Sequence, residues 1–217
     1  NEELRLYIFI ALLSMLLIAI NIMPMYGDSF LAALRHSSFQ VSTIMTTTGY
    51  ATTDFSLWPT FSKVILITLM VIGASAGSTG GGIKVSRLLI LFKAAKKEIG
   101  TIMHPRRIHT VKMDGNTLED RILVNVLVFL GLYFVIAFLA IIVISVDGYN
   151  FETTATAVLS ALGNIGPGFS MVGPLGNFGI FSDFSKLVLS FCMLAGRLEI
   201  FPMLILFSPR IWGKKAL

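Results

Sequence analysis

Residues 30–51 read FLAALRHSSFQVSTIMTTTGYA, an apolar run that ends in threonines and a glycine, and the fold depends on where this run lies. It sits between two longer uncharged stretches, 6–25 and 64–83, delimited by Arg5 and Asp28 and by Lys63 and Lys84. Each of these is long enough to cross a bilayer, which takes about 20 residues at 1.5 Å rise. Residues 30–51 are too short and too broken to cross, and both ends must lie on the same side. The run is therefore expected to descend part-way as a short helix and return irregularly. Backbone of that kind is tolerated at membrane depth only where protein buries it or where it lines a water-filled cavity.

The order recurs downstream. A stretch at 122–146 lies between Arg121 and Asp147, a short apolar segment follows at 153–168, and a final stretch covers 184–207. Shifting the chain by 117 residues places Gly166 on Gly49, Leu123 on Leu6 and Phe181 on Val64. The repeat is a helix, a re-entrant segment with a glycine turn, and a helix, and repeated units of this sort place a transport path at their interface. Two domains are expected, 1–112 and 113–217, in an all-α integral membrane fold.

Composition agrees. The 217 residues are 55% hydrophobic and 13% charged, with a mean hydropathy of +0.81, whereas a soluble domain carries charge on roughly a quarter of its residues. A cytosolic enzyme, a disordered tail and a disulfide scaffold are poor fits, and the single cysteine, Cys192, excludes an internal disulfide. The net charge of +5 is clustered. Lys84, Arg87, Lys93, Lys96, Lys97, Arg106, Arg107 and Lys112 share one side with Arg210, Lys214 and Lys215, while Asp28, Asp54, Asp147, Glu152 and Asp183 lie on the other. Basic loops stay in the cytoplasm, so both ends of the segment are expected inside, and no room is left for a soluble nucleic-acid-binding domain. The start, Asn1-Glu2-Glu3, has no initiator methionine and an acidic leader unlike a secretory signal, and the chain reads as part of a longer polypeptide.

The two turns carry the chemistry. The first is Thr46-Thr47-Thr48-Gly49-Tyr50-Ala51 and the second Gly163-Asn164-Ile165-Gly166-Pro167-Gly168. A dehydrated cation exchanges its water shell for carbonyl oxygens, so consecutive carbonyls must face one axis, and such backbone needs residues tolerant of positive φ. Thr47 to Ala51 differ from the potassium-channel filter pattern Thr-Val-Gly-Tyr-Gly only at the second and last positions. Thr47, Thr48, Gly49 and Tyr50 with Asn164, Ile165, Gly166 and Pro167 are the expected K+-binding carbonyl donors. A plain external turn, for which Gly, Thr, Asn and Pro are ordinary formers, is the competing reading.

Below them, residues 73–82 read GASAGSTGGG. Five glycines at ~1 kcal/mol each relative to alanine predict an unwound segment, and Gly77, Ser78, Thr79, Gly80, Gly81 and Gly82 are the expected gate. The pattern 77–84 fails as a phosphate loop, because Lys84 lacks a preceding glycine and no strand leads in. Under the 117-residue shift Arg197 falls on Gly80. A fixed guanidinium ~10 Å from a permeating cation repels it by roughly 1.7 kcal/mol at an effective dielectric of 20, a barrier without a full block. Glu199, about 200° further round the helix, is expected to brace the bundle.

These motifs, Thr-Thr-Gly-Tyr at 47–50, Gly-Ser-Thr-Gly-Gly-Gly-Ile-Lys at 77–84, Asn-Ile-Gly-Pro-Gly at 164–168 and Ala-Gly-Arg-Leu-Glu at 195–199, resemble the carboxyl-terminal half of the Trk/Ktr/HKT superfamily of potassium uptake proteins, most nearly the bacterial Trk and Ktr membrane subunits. The resemblance implies four potassium-channel-like units around one pore, of which this chain supplies the third and fourth. The amino-terminal half of the same polypeptide would then supply the first two. It also implies a homodimer in the bacterial cytoplasmic membrane, K+ as the transported ion with no organic cofactor, and a cytosolic RCK-type nucleotide-binding subunit docked on the basic surface that begins with the amphipathic stretch 87–97. Coupling to a proton or sodium gradient stays open. His36, His104 and His109 are isolated, and Ser75 and Ser78 lack a catalytic partner, so neither a metal site nor an enzyme is expected. A coupled transporter of a small solute with re-entrant hairpins is the alternative, and it requires a polar side-chain pocket that the sequence scarcely supplies.

Overall fold

The computed structural model describes residues 1–104 and 110–198. Helix α1, Glu2–Ile22, starts where the Asn1 side chain accepts from the Leu4 N–H. It runs into a 3-10 turn, Met23–Tyr26, stopped by left-handed Gly27. Ser29 caps helix α2, Phe30–Met45. After the first glycine turn, a 3-10 turn at Phe55–Leu57 capped by Asp54 leads to helix α3, Thr60–Val71. An irregular loop separates α3 from helix α4, Val85–Met103. A two-residue hairpin, β1 Lys112–Met113 against β2 Asn116–Thr117, turns through Asp114 and Gly115, both at positive φ, as a tight Asp-Gly hairpin requires. The expected domain boundary after residue 112 falls within it. Helix α5, Asp120–Ile144, helix α6, Phe151–Gly163, capped by Asn150, and helix α7, Asp183–Arg197, complete the chain.

The α1 and α5 segments, Glu2–Tyr26 and Asp120–Asp147, are long and apolar enough to span a membrane. The stretch 64–83 is not one helix. Only 12 residues of α3 are helical, because the backbone groups beyond Val71 bond elsewhere: the Ala74 N–H donates to Met45 O and the Ile83 N–H to Val71 O, each at 2.9 Å. The final stretch is described only to Leu198, so the rest of 184–207, including Glu199, and also Arg106, Arg107, His109, Arg210, Lys214 and Lys215, lie outside the described residues.

The second unit repeats the first, but not at one shift. The spacing is 117 residues at the turns (Thr47 and Asn164), 121 at the preceding caps (Ser29 and Asn150) and 123 at the second helices (Thr60 and Asp183). Helix α6 has 13 residues against 16 in α2, nearly a turn less, and the later loop is longer. Two apolar clusters result. One packs α5, α6 and α7 around Tyr133, Leu162 and Phe181. The other packs α1, α2 and α3 around Ile18, Met45 and Leu66 and takes in Ile165 and Phe169 from the second unit. The Phe169 ring meets Phe55 edge-on at 5.0 Å, and Lys63 pairs with Glu152 across the units at 2.9 Å.

Candidate functional site

Helices α2 and α6 end in the same way. The Thr47 N–H donates to Ile44 O and the Thr48 N–H to Thr43 O, while the Asn164 N–H donates to Ala161 O and the Ile165 N–H to Ser160 O, at 2.9–3.1 Å. These paired five-back and three-back bonds around a left-handed residue form the Schellman motif. The left-handed residues are Thr47 (φ 55°) and Asn164 (φ 53°), and two residues later come Gly49 (φ 84°) and Gly166 (φ 116°). Asparagine tolerates this region, but a β-branched threonine there is strained. A Cβ on Gly49 would lie 2.2 Å from Ile165 O, so the two turns adjoin and only a glycine fits. At Gly166 there is room, and its φ alone demands glycine. Neither α2 nor α6 has a basic residue in its last turn, which leaves the partial negative charge of each helix end uncancelled beside the turns.

A row of hydroxyls that sequence reasoning missed braces the second turn. Ser160 Oγ donates to Gly166 O at 2.8 Å and accepts from the Gly166 N–H at 3.1 Å, and Thr156 Oγ1 accepts from the Phe169 N–H at 2.9 Å. The signal was present as Thr153, Thr156 and Ser160 on one face of α6, spaced at i, i+3 and i+7. In the first turn Thr46 Oγ1 donates to Ser42 O and meets Thr48 Oγ1, both at 2.7 Å. Gly166 O is thus engaged. Among the described residues no donor meets the carbonyls of Thr47, Thr48, Gly49, Tyr50, Asn164, Ile165 or Pro167. A cavity of about 550 Å³ lined by Gly49, Ser160, Gly166, Pro167 and Lys186 borders the junction.

The loop between α3 and α4 closes on itself, with Ile72 bridged to Ile83. Its upper part packs under the turns. A Cβ on Gly81 would come within 2.7 Å of the backbone of Gly163 and Leu162, and one on Gly80 within 3.1 Å of Thr47 Oγ1. Gly82 sits at φ 79°. Gly77 has open space around it, so no packing demand explains it. Ser78 Oγ accepts from the Gly80 N–H at 3.1 Å. Arg197 reaches the loop from α7, its Nη1 donating to Thr79 O at 2.6 Å. The approach depends on Gly196, where a Cβ would lie 1.9 Å from Leu162 O. Asn164 Nδ2 donates to Met193 O at 3.0 Å, tying the second turn to α7 as well.

The fold and site define an all-α integral membrane protein in which two helix–turn–helix units bring glycine turns together against the glycine-rich loop between α3 and α4. A model of the TrkH family, described as a cation transport protein, matches residues 7–214. The chain belongs to the TrkH family. It is 39% identical over 188 residues to the Trk system potassium uptake protein TrkH of Salmonella typhimurium, covering 85% of this chain and 38% of that protein. Against TrkG of Escherichia coli K12 it is 36% identical over 210 residues, covering 97% and 43%. The crystal structure of the potassium transporter TrkH from Vibrio parahaemolyticus superposes with a TM-score of 0.87 at 36% identity, over 97% of this chain and 45% of that one. The chain therefore spans about two-fifths of the length of these relatives.

Proposed function

We propose that the chain is half of a potassium-uptake pore, supplying the third and fourth of four filter turns. The observation that carries this is the adjoining pair of turns with seven carbonyl oxygens that no described donor meets. Thr48 and Tyr50 are exposed and Thr47, Gly49, Asn164 and Pro167 half-buried, so these turns stand open at the junction. Irregular backbone in a membrane protein is tolerated where it lines a water-filled path, and a cation shedding its water there takes carbonyl oxygens as ligands. The potassium uptake proteins among its relatives favour K+. Thr47, Thr48, Gly49, Tyr50, Asn164, Ile165 and Pro167 are its ligands through their backbone oxygens, with Gly166 shaping the second turn. The amino-terminal half of the polypeptide completes the ring.

Below the filter, Gly77 to Gly82 form the gate. Arg197 holds it closed through Thr79 O and adds its own charge to the barrier. The assembly lies in the bacterial cytoplasmic membrane with both ends of this segment inside, pairs as a homodimer, and presents the basic surface from Lys84 to Lys112 to a cytosolic RCK-type nucleotide-binding subunit.

Rubidium flux into liposomes containing the full-length protein tests the filter. Gly49→Ser places a side chain against Ile165 O and should erase the preference for Rb+ over Na+. An unchanged preference would sink the assignment. Arg197→Ala should raise flux, and a fall in a correctly folded variant counts against the barrier.

A further inference from the structure

The lower part of the glycine-rich loop is held by residues other than Arg197. Residues 75–78 make a tight turn closed by the Ser78 N–H donating to Ser75 O at 2.9 Å. Its second residue, Ala76, is fixed from two sides. Lys84 Nζ donates to Ala76 O at 3.4 Å, and the Ala76 N–H donates to Glu3 Oε1 at 2.7 Å. Glu3 comes from the first turn of α1 and is 9% exposed. It lines, with Tyr7, Thr46, Ala74 and Ser78, a cavity of about 570 Å³ beneath the first filter turn. The neighbouring Glu2 pairs with Lys93 of α4, and Lys93 also donates to Lys112 O at 2.6 Å. The start of α1 is therefore a fixed post joined to α4 and to the hairpin.

A carboxylate with one oxygen committed to a single backbone N–H forms a charge-assisted bond, stronger than a neutral one. A carboxylate this little exposed needs a partner, and the Ala76 N–H is the one the structure gives Glu3. We propose that Glu3 is a positioning residue for the glycine-rich loop, holding the 75–78 turn on α1 while Arg197 holds Thr79 from α7. The inference rests on the loop being the gate. Opening the loop then requires release at two points, one in each unit, and the Glu3 point is governed by the placement of α1 against α4.

The test is rubidium flux and thermal unfolding of the full-length protein. Glu3→Ala should raise flux roughly ten- to a hundredfold, the range that a hydrogen bond to a charged group is worth. Glu3→Gln, whose amide oxygen still accepts but without the charge, should fall between the wild type and Glu3→Ala. Ala76→Pro removes only the N–H, and proline suits the second position of such a turn, so it should match Glu3→Ala. Combining the two should add nothing further, since both break the same bond. If Arg197→Ala raises flux while Glu3→Ala and Ala76→Pro leave it unchanged or lower, or if the two add, Glu3 has no such role and the gate stands. If none of the three raises flux, the loop is not the gate and the inference falls with it.

Discussion

Thr47 shows most directly what one residue contributes. It occupies the left-handed region at φ 55°, where a β-branched side chain costs on the order of 1–2 kcal/mol, and the equivalent position in the second unit is an asparagine, which bears it easily. Such strain is held by the surrounding structure, here the two bonds of the Schellman cap. Thr47→Gly is expected to raise the thermal unfolding temperature of the full-length protein while reducing its discrimination between Rb+ and Na+, since the relaxed turn no longer fixes its carbonyls. Melting by intrinsic fluorescence and flux in liposomes check the two halves of that statement. The glycine turns were legible because positive φ leaves a mark in the sequence, and Gly49 and Gly166 are where that mark pointed. Ser160, Thr156 and Glu3 were not read. A serine or glutamate is ordinary in sequence, and its partner lies 6, 13 or 73 residues away, where only the fold brings it.

At the scale of elements, the contact of α7 with α6 depends on Gly196, whose missing Cβ lets Leu162 O approach. Gly196→Ala must push the helices apart, with an expected cost of about 2–4 kcal/mol, and it moves the adjacent Arg197 off Thr79. The variant should therefore melt earlier and leak, whereas Arg197→Ala should leak with little loss of melting temperature. Lys63 and Glu152 join α3 to α6, and both are partly exposed. Lys63→Met should cost no more than about 1 kcal/mol, visible as a small shift in unfolding and no change in ion preference. The helix that ends at Val71 differs from the continuous stretch 64–83 expected from hydropathy. The glycines predicted an unwound segment, but its ends depend on tertiary bonds to Met45 O and Val71 O that periodicity does not encode. The short hairpin at 112–117 escaped notice because two-residue strands carry no alternation to detect.

For the whole molecule, charge and hydropathy gave an all-α membrane bundle with two units, and the single 117-residue shift located the turns. The shift failed on either side, by four residues at the caps and six at the second helices, because a nearly one-turn shorter α6 and a longer following loop alter spacing without altering the architecture. Arg197 still meets the loop, at Thr79 and not at Gly80, since a helix of the second unit leans on the first by packing and not by numerical correspondence.

The engagement of Gly166 O by Ser160 has a consequence for the ion. In the proposed pore one carbonyl of the second turn already accepts a hydrogen bond and meets a cation with one lone pair fewer than its counterparts, so the cage around a bare cation is lopsided. A lopsided cage holds an ion off centre and adjusts to its radius by small displacements instead of a fixed fit. Freeing the Gly166 carbonyl by Ser160→Ala should even out the cage and steepen the size ranking among K+, Rb+ and Cs+ measured by competition flux, and a flattened ranking would show that Ser160 acts on the shape of the turn and not on the evenness of the cage.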